Sequence, residues 1–428
     1  MEIVQPYTKG TEAMAEAAVQ EPKDIDGKIT DEDIERCKRQ IGVPRYEHNP
    51  PYNLEVTVDA IRHFAFSTGD ENPLWNKREY GKTTRWGEMI APPMFFVSTG
   101  IGLASKPDAE TKALFKGLFK GVSKYYSGVD WTWWRPLQPG DVVYDDYSTS
   151  DVLVRENSKF SGGLTVTEVY RHLYIDAEGA PLAMREESFV SAERSGSRKV
   201  GKYASYERQT YSPEDIARID EVYAAEQRRG PEKRYWEDVE IGEPLTPVAK
   251  GPLSMVDVIA YHMGQGLSHY GIGPLRLNHV QRKRMPGFYV EDRYGVPDVA
   301  QRVHWDQDRA RDLGLPAPHD YGQMRANWLA HLVTNWMGDD GWLWKLSLQT
   351  RIFNFMGDTT ICGGVVTDKR VEDGRHVVEL RLESVNQRGE NTAPGTAVVI
   401  LPTRSGEAEL PEPPADIAAR AHGVKPGR

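Results

Sequence analysis

The stretch VPDVAQRVHWDQ, residues 296 to 307, sets an aspartate, Asp298, six positions before a histidine, His304. A carboxylate and an imidazole held side by side can exchange protons close to neutral pH, because imidazole titrates there and burial can raise a carboxyl group's pKa. Further on, PHDYGQM (318 to 324) offers His319 and Asp320, followed by Tyr321, Gly322 and Gln323. A glycine that opens a helix presents unpaired backbone N–H groups to an oxygen gaining negative charge, with no side chain in the way. Together these residues suit proton transfer beside a polarised carbonyl. Each also has a plain structural reading. Asp298 follows Pro297 and could cap a turn, His304 between Val303 and Trp305 could be a packing histidine, and His319 with Asp320 could cap the helix.

The elements that must position them are visible as patterns. Tyr321, Met324, Trp328, Leu329, Leu332, Val333 and Trp336 recur at intervals of three or four, which predicts a buried helix starting near Gly322. The order of elements then repeats along the chain. VTVDAIRHFAFSTGDENPLW (56 to 75), RWGEMIAPPMFF (85 to 96) and WWRPLQPGDVVYDDYSTSDVLV (133 to 154) are echoed by LSMVDVIAYHMGQG (253 to 266), DLGLPAPHDYGQMRANWL (312 to 329) and TRIFNFMGDTTICGGVVTDKRV (350 to 371). Each copy reads as a capped short helix ending in a glycine turn, a Pro-bearing loop leading to an apolar helix, and a Gly-Asp turn opening a strand. Strand-like runs rich in β-branched and aromatic residues follow in both copies, at 165 to 194 and 375 to 403. The second copy carries about 22 extra residues, mostly between Gly266 and Asp298.

These patterns predict an α+β chain of two domains, residues 1–200 and 233–428, joined by a polar linker at 201–232 in which Ser212-Pro213-Glu214-Asp215 starts a helix. The first 30 and last 20 residues are expected to fray or drape over the surface.

Composition excludes several classes. A net charge of -10 argues against nucleic acid as partner, and no run approaches the roughly 18 apolar residues of a membrane span. The N-terminus has no apolar core of a secretory signal, and Cys37 and Cys362 are the only cysteines. Both features point to a reducing, cytoplasmic setting. No metal-ligand cluster stands out, and GIG (271 to 273) is too weak for a nucleotide loop. Arg276, Arg282, Lys283 and Arg284 form a basic group that reads as a solvated face, or as a contact for phosphates.

FAFSTGDENPLW (64 to 75) closely resembles the signature of the MaoC-like enoyl-CoA hydratases: aromatic, Ser-Gly-Asp, any residue, Asn-Pro, aliphatic, His. RYWEDVEIGEPLTPVAKGPLSMVDVIAYH (234 to 262) is similar to the start of a second such domain. VHWDQDRARDLGLPAPHDYGQMR and NWMGDDGWLWKL resemble the long FAS1-like acyl dehydratases. The resemblance implies a double hotdog, two antiparallel sheets each wrapped around a central helix. It also implies an enoyl-CoA hydratase or 3-hydroxyacyl-CoA dehydratase that acts on an acyl-CoA thioester, uses no cofactor and forms a homodimer.

Departures from the family pattern decide which half is expected to work. In the first copy Trp75 stands where the family has its histidine, and Pro93 lacks the N–H that the family's helix start provides. This half is expected to serve as a wall for the acyl group. In the second copy GQG (264 to 266) replaces the aspartate, so Asp298 and His304 are expected to form the catalytic pair, one residue wider apart than in the family. By the same resemblance Gly322 is the oxyanion donor, with Tyr321, Gln323 and Asn72 as substrate contacts and Asp70 as a further catalytic candidate. Asp70 and Asn72 read more simply as braces of their own loop. A thioesterase and a non-catalytic acyl-CoA-binding or partner subunit are the alternatives.

Overall fold

The computed structural model describes residues 27–158, 162–193, 203, 206–266 and 272–426. The expectations for the extreme N-terminus fall mainly on residues 1–26, which lie outside the described residues, as does Gly271, the first residue of GIG.

Twelve strands form among the described residues: β1 (Ile101–Gly102), β2 (Ser123–Trp133), β3 (Tyr144–Arg155), β4 (Thr165–Ile175), β5 (Pro181–Ala192), β6 (Val248–Lys250), β7 (Tyr289–Glu291), β8 (Pro297–Val299), β9 (Trp342–Gln349), β10 (Thr360–Glu372), β11 (Arg375–Asn386) and β12 (Gly395–Ile400). Ten of them make one sheet in the order β1-β3-β4-β5-β2-β9-β12-β11-β10-β6, and β7 with β8 forms a separate hairpin. The order β2-β5-β4-β3 is mirrored by β9-β12-β11-β10. The two halves meet where β2 pairs antiparallel with β9, with Trp131 opposite Leu346.

The repeat seen in the sequence is thus a repeat in space. Its two capped helices, Val58–Ser67 and Met255–Gln265, begin at Thr57 and at a Ser254–Asp257 capping box. They end at Gly69 (φ 66°) and Gly266 (φ 98°), left-handed positions that suit glycine. The helices lie against each other so closely that a Cβ on Gly264 would sit 1.9 Å from Ser67 Oγ. The helix expected to start at Ser212-Pro213-Glu214-Asp215 forms over Pro213–Ala225, with a Ser212–Asp215 capping box.

In the second half the sheet wraps a central helix, Gly322–Met337, buried from Met324 to its end. The first half differs. Its expected apolar helix is a six-residue 3-10 turn, Pro93–Ser98. Two successive prolines, Pro92 and Pro93, then Val97, Thr99 and Gly100 disfavour any longer helix. Helix Asp31–Lys38 packs Ile34 and Cys37 against Val152 and Val166 of the first half, and Gly42 and Arg45 donate their N–H groups to the Thr149 and Tyr147 carbonyls of β3. Near the C-terminus, helix Ala415–Val424 packs Ile417 and Ala421 against Leu173 and Ile175, on the outer face of the first half. No helix among the described residues is long and apolar enough to cross a membrane.

Candidate active site

The N-terminus of the central helix gathers three histidines around Tyr321. The His304 ring stacks on Tyr321 with centroids 3.7 Å apart and meets His319 edge-on at 4.4 Å. His262, from the helix Met255–Gln265, meets the same tyrosine edge-on at 4.6 Å. His319 stacks on Phe353 at 4.3 Å. Three elements therefore converge: the helix of the second repeat, the 3-10 turn Ala300–His304, and the loop leading into the central helix.

His304 Nδ1 lies 2.9 Å from the His319 carbonyl oxygen, which can only accept. The hydrogen bond fixes the Nδ1–H tautomer and leaves Nε2 with its lone pair. Burial, reinforced by His319, holds the His304 pKa well below the ordinary imidazole value. The residue as a whole is half-buried, whereas His262, His319 and Tyr321 are buried. Burial also lowers His262 to about 4 and His319 to about 4. His262 escaped the sequence reading because a histidine inside an amphipathic helix looks like packing. Its place just before the glycine turn of the second repeat was the available signal.

The expected Asp298–His304 pair is not formed: no hydrogen bond or ion pair joins them among the described residues. Asp298 lies on β8, where its Oδ1 accepts the N–H of Val299 at 2.7 Å. Arg302, between the two in sequence, is buried and donates to the Val290, Glu291 and Asp298 carbonyls, clamping the β7–β8 hairpin. The six-residue spacing thus runs from a strand into a 3-10 turn, and the two side chains serve different neighbours. His319 and Asp320 do not cap the helix through their side chains either. Both carboxylate oxygens of Asp320 accept from Arg325, at 2.7 Å each, and both residues are buried.

Gly322 and Gln323 open the helix, and the first N–H groups of a helix have no carbonyl partner within it. A Cβ on Gly322 would lie 2.4 Å from Cδ1 of Tyr126, a residue of β2 in the first half. The glycine is thus needed for packing across the two halves. We expect Gly322→Ala to destabilise by about 1–3 kcal/mol in denaturant unfolding, and Tyr126→Ala in the same chain to recover most of that loss. A Gly322→Ala protein as stable as the parent would contradict the contact.

In the first half Asp70 and Asn72 brace their loop. Asp70 Oδ1 accepts from the Asn72 N–H and Asn72 Oδ1 from the Leu74 N–H, each at 3.0 Å. Asp70 also faces His331 of the central helix, with Nε2 3.9 Å away. His331 itself sits between Glu226 at 3.0 Å and Lys250 at 2.8 Å. Burial pushes Glu226 up, but the hydrogen bond and charge of His331 outweigh it and hold the carboxyl at about 2. Trp75 is buried beside an apolar slot lined also by Pro93, Phe96, Trp133, Met337 and Trp342. The basic helix Arg276–Arg284 is exposed.

The neutral histidines make stability depend on pH. Unfolded imidazoles take up protons as pH falls through about 6.5, whereas His262 and His319 resist until about 4. Between these values the unfolded state holds more protons, so stability falls as pH falls, by at most about 2–3 kcal/mol per ring. Unfolding free energies at pH 7 and pH 5 should therefore differ less in His262→Gln than in the parent, and an equal difference would contradict the assignment.

Comparison with known proteins agrees with this architecture. Residues 40–185 match the model of the FAS1-like dehydratase domain region. A UPF0336 protein of Thermobifida fusca (strain YX) is 34% identical over 110 residues, 25% of this chain and 66% of that protein, so the chain spans just under two thirds of that relative. A solved structure described as a MaoC-like dehydratase superposes with a TM-score of 0.57 at 16% identity, covering 85% of this chain and 99% of the other. The chain has the double-hotdog fold, and its residues 40–185 are similar to the FAS1-like dehydratase domain region.

Proposed function

We propose that this chain is a hydro-lyase that adds water to an α,β-unsaturated acyl-CoA thioester or removes it from the 3-hydroxy product. The observation that carries the proposal is His304, held neutral in the Nδ1–H tautomer by the His319 carbonyl, beside the N-terminus of the central helix. In this reading Nε2 of His304 takes a proton from water as the water oxygen bonds to Cβ. The N–H groups of Gly322 and Gln323 hold the enolate oxygen that develops. His304 then returns the proton to Cα. One O–H bond and the Cα=Cβ π bond break while one C–O and one C–H bond form, with no net proton change.

No carboxylate is needed as partner, which suits the positions of Asp298 in its hairpin and of Asp320 on Arg325. Asp70 and Asn72 act as braces of their loop, and the first half serves as a wall for the acyl group. The domain limits 1–200, 201–232 and 233–428, a homodimer and a cytoplasmic setting complete the proposal.

The test is incubation of the whole chain with crotonyl-CoA and with bulkier enoyl-CoAs. Loss of enoyl absorbance without release of free thiol supports hydration. Thiol release would replace it with thioester hydrolysis, and tight binding without turnover across the panel would make the chain a binding subunit.

A further inference from the structure

The shortened helix of the first half leaves part of its concave face to something else. A cavity of about 230 Å³ lies there, between residues 47–52, the stretch Val97–Gly100, and the inward side chains Asp145 of β3, Tyr174 of β4 and Arg185 of β5. Strand register sets Asp145 opposite Tyr174 and His172 opposite Arg185, on the face away from Leu173 and Ile175. His48, Pro50, Tyr52 and Arg284 on the cavity's border are exposed.

The floor is a buried charge network. His172 Nδ1 lies 2.7 Å from Asp145 Oδ2, and His172 Nε2 and Arg185 Nη2 each lie 3.6 Å from Glu187 Oε1. Tyr147 stacks on His172 at 4.1 Å, and Arg185 lies over Trp131 at 5.6 Å. This network leaves three buried atoms of cavity-lining residues with no hydrogen-bond partner among the described residues: Thr99 Oγ1, Asp145 Oδ1 and Arg185 Nε. Thr99, Asp145 and Arg185 are 7%, 4% and 3% exposed, so leaving these atoms unpaired is costly.

We propose that this cavity binds a small neutral ligand through an alcohol or carboxamide group. Arg185 Nε–H requires an acceptor, Asp145 Oδ1 requires a donor, and the Thr99 hydroxyl serves as either. An alcohol or amide supplies both in one group. A carboxylate would meet Asp145, Glu187 and Glu47, whose carboxyl is pushed up to about 7 by burial and then by Asp145. An ammonium ion would leave Arg185 Nε without an acceptor. The site shares no residue with the His304 cluster, so the proposal stands apart from the hydratase reading.

Ligand-observed NMR on the whole chain, in buffer free of glycerol, tests it with butane-1,3-diol and propionamide against butyrate and butylammonium. The neutral probes should bind with Kd on the order of 1 mM, a reasonable limit for so few atoms. The charged probes should bind at least tenfold more weakly. Thr99→Val removes an unpartnered hydroxyl without changing shape, so the fold should persist with an unchanged or higher Tm, while binding of both neutral probes weakens several-fold. Thr99→Leu, which fills the space, should abolish it. Binding of butyrate or butylammonium at equal strength, neutral binding indifferent to both variants, or no neutral binding at 20 mM would each overturn the proposal.

Discussion

His304→Ala is expected to lower kcat/KM for enoyl thioester hydration by about 10²–10⁴-fold while the chain stays folded, because the variant loses the one group that moves the proton. The parent's pH profile carries a second expectation. A base must be unprotonated to act, and the His304 pKa lies well below the ordinary imidazole value. On the acid side, kcat/KM should therefore stay flat through pH 6.5 and fall only at lower pH. An acid limb centred near 6.5, or full activity in His304→Ala with a native circular dichroism spectrum, would remove His304 from the mechanism. Asp298→Ala should leave kcat nearly unchanged, since that carboxylate braces a hairpin.

Removing one member of the Asp320–Arg325 pair should cause the largest loss of stability. Asp320 and Arg325 side chains are 0% and 1% exposed and joined by two hydrogen bonds of 2.7 Å. Arg325 also donates to the Ile352 and Thr392 carbonyls, and Asn354 donates to Asp320, so the pair ties the central helix to the loop before β10 and to the turn before β12. Asp320→Ala leaves a guanidinium buried without its counter-charge, which costs about 3–5 kcal/mol. Asp320→Leu combined with Arg325→Met buries no charge and should recover much of that loss. Urea unfolding of the three proteins decides the matter, and a loss below about 1 kcal/mol in Asp320→Ala would show that the pair is not buried as described. Because Asp320 follows His319, whose carbonyl orients His304, activity should fall along with stability in the single variant.

Much of the fold was legible because it rests on periodicity and capping, which are local. The capped short helix read in each copy and the Ser212 start announced three helices, and the stripe from Tyr321 to Trp336 announced the buried one. The site was only partly legible because it depends on which groups share a hydrogen bond. Spacing set Asp298 near His304, but a clamped hairpin turns the aspartate to its own backbone, and a carbonyl takes its place at the imidazole. Asp320 read as a cap because its partner, five residues along, is one among many arginines. The missing helix of the first half was written in Pro92 and Pro93, yet the repeat suggested a helix there, and similarity outweighed the local signal.

The seam between β2 and β9 bears on how such a chain could be divided. Fragments cut within the linker would remain hydrogen-bonded through that pairing, so a nicked protein should migrate as one particle. Either half made alone would carry a raw strand edge with Trp131 or Leu346 along it, an invitation to self-association. Tandem fusion in one polypeptide gives each edge its proper mate at high effective concentration.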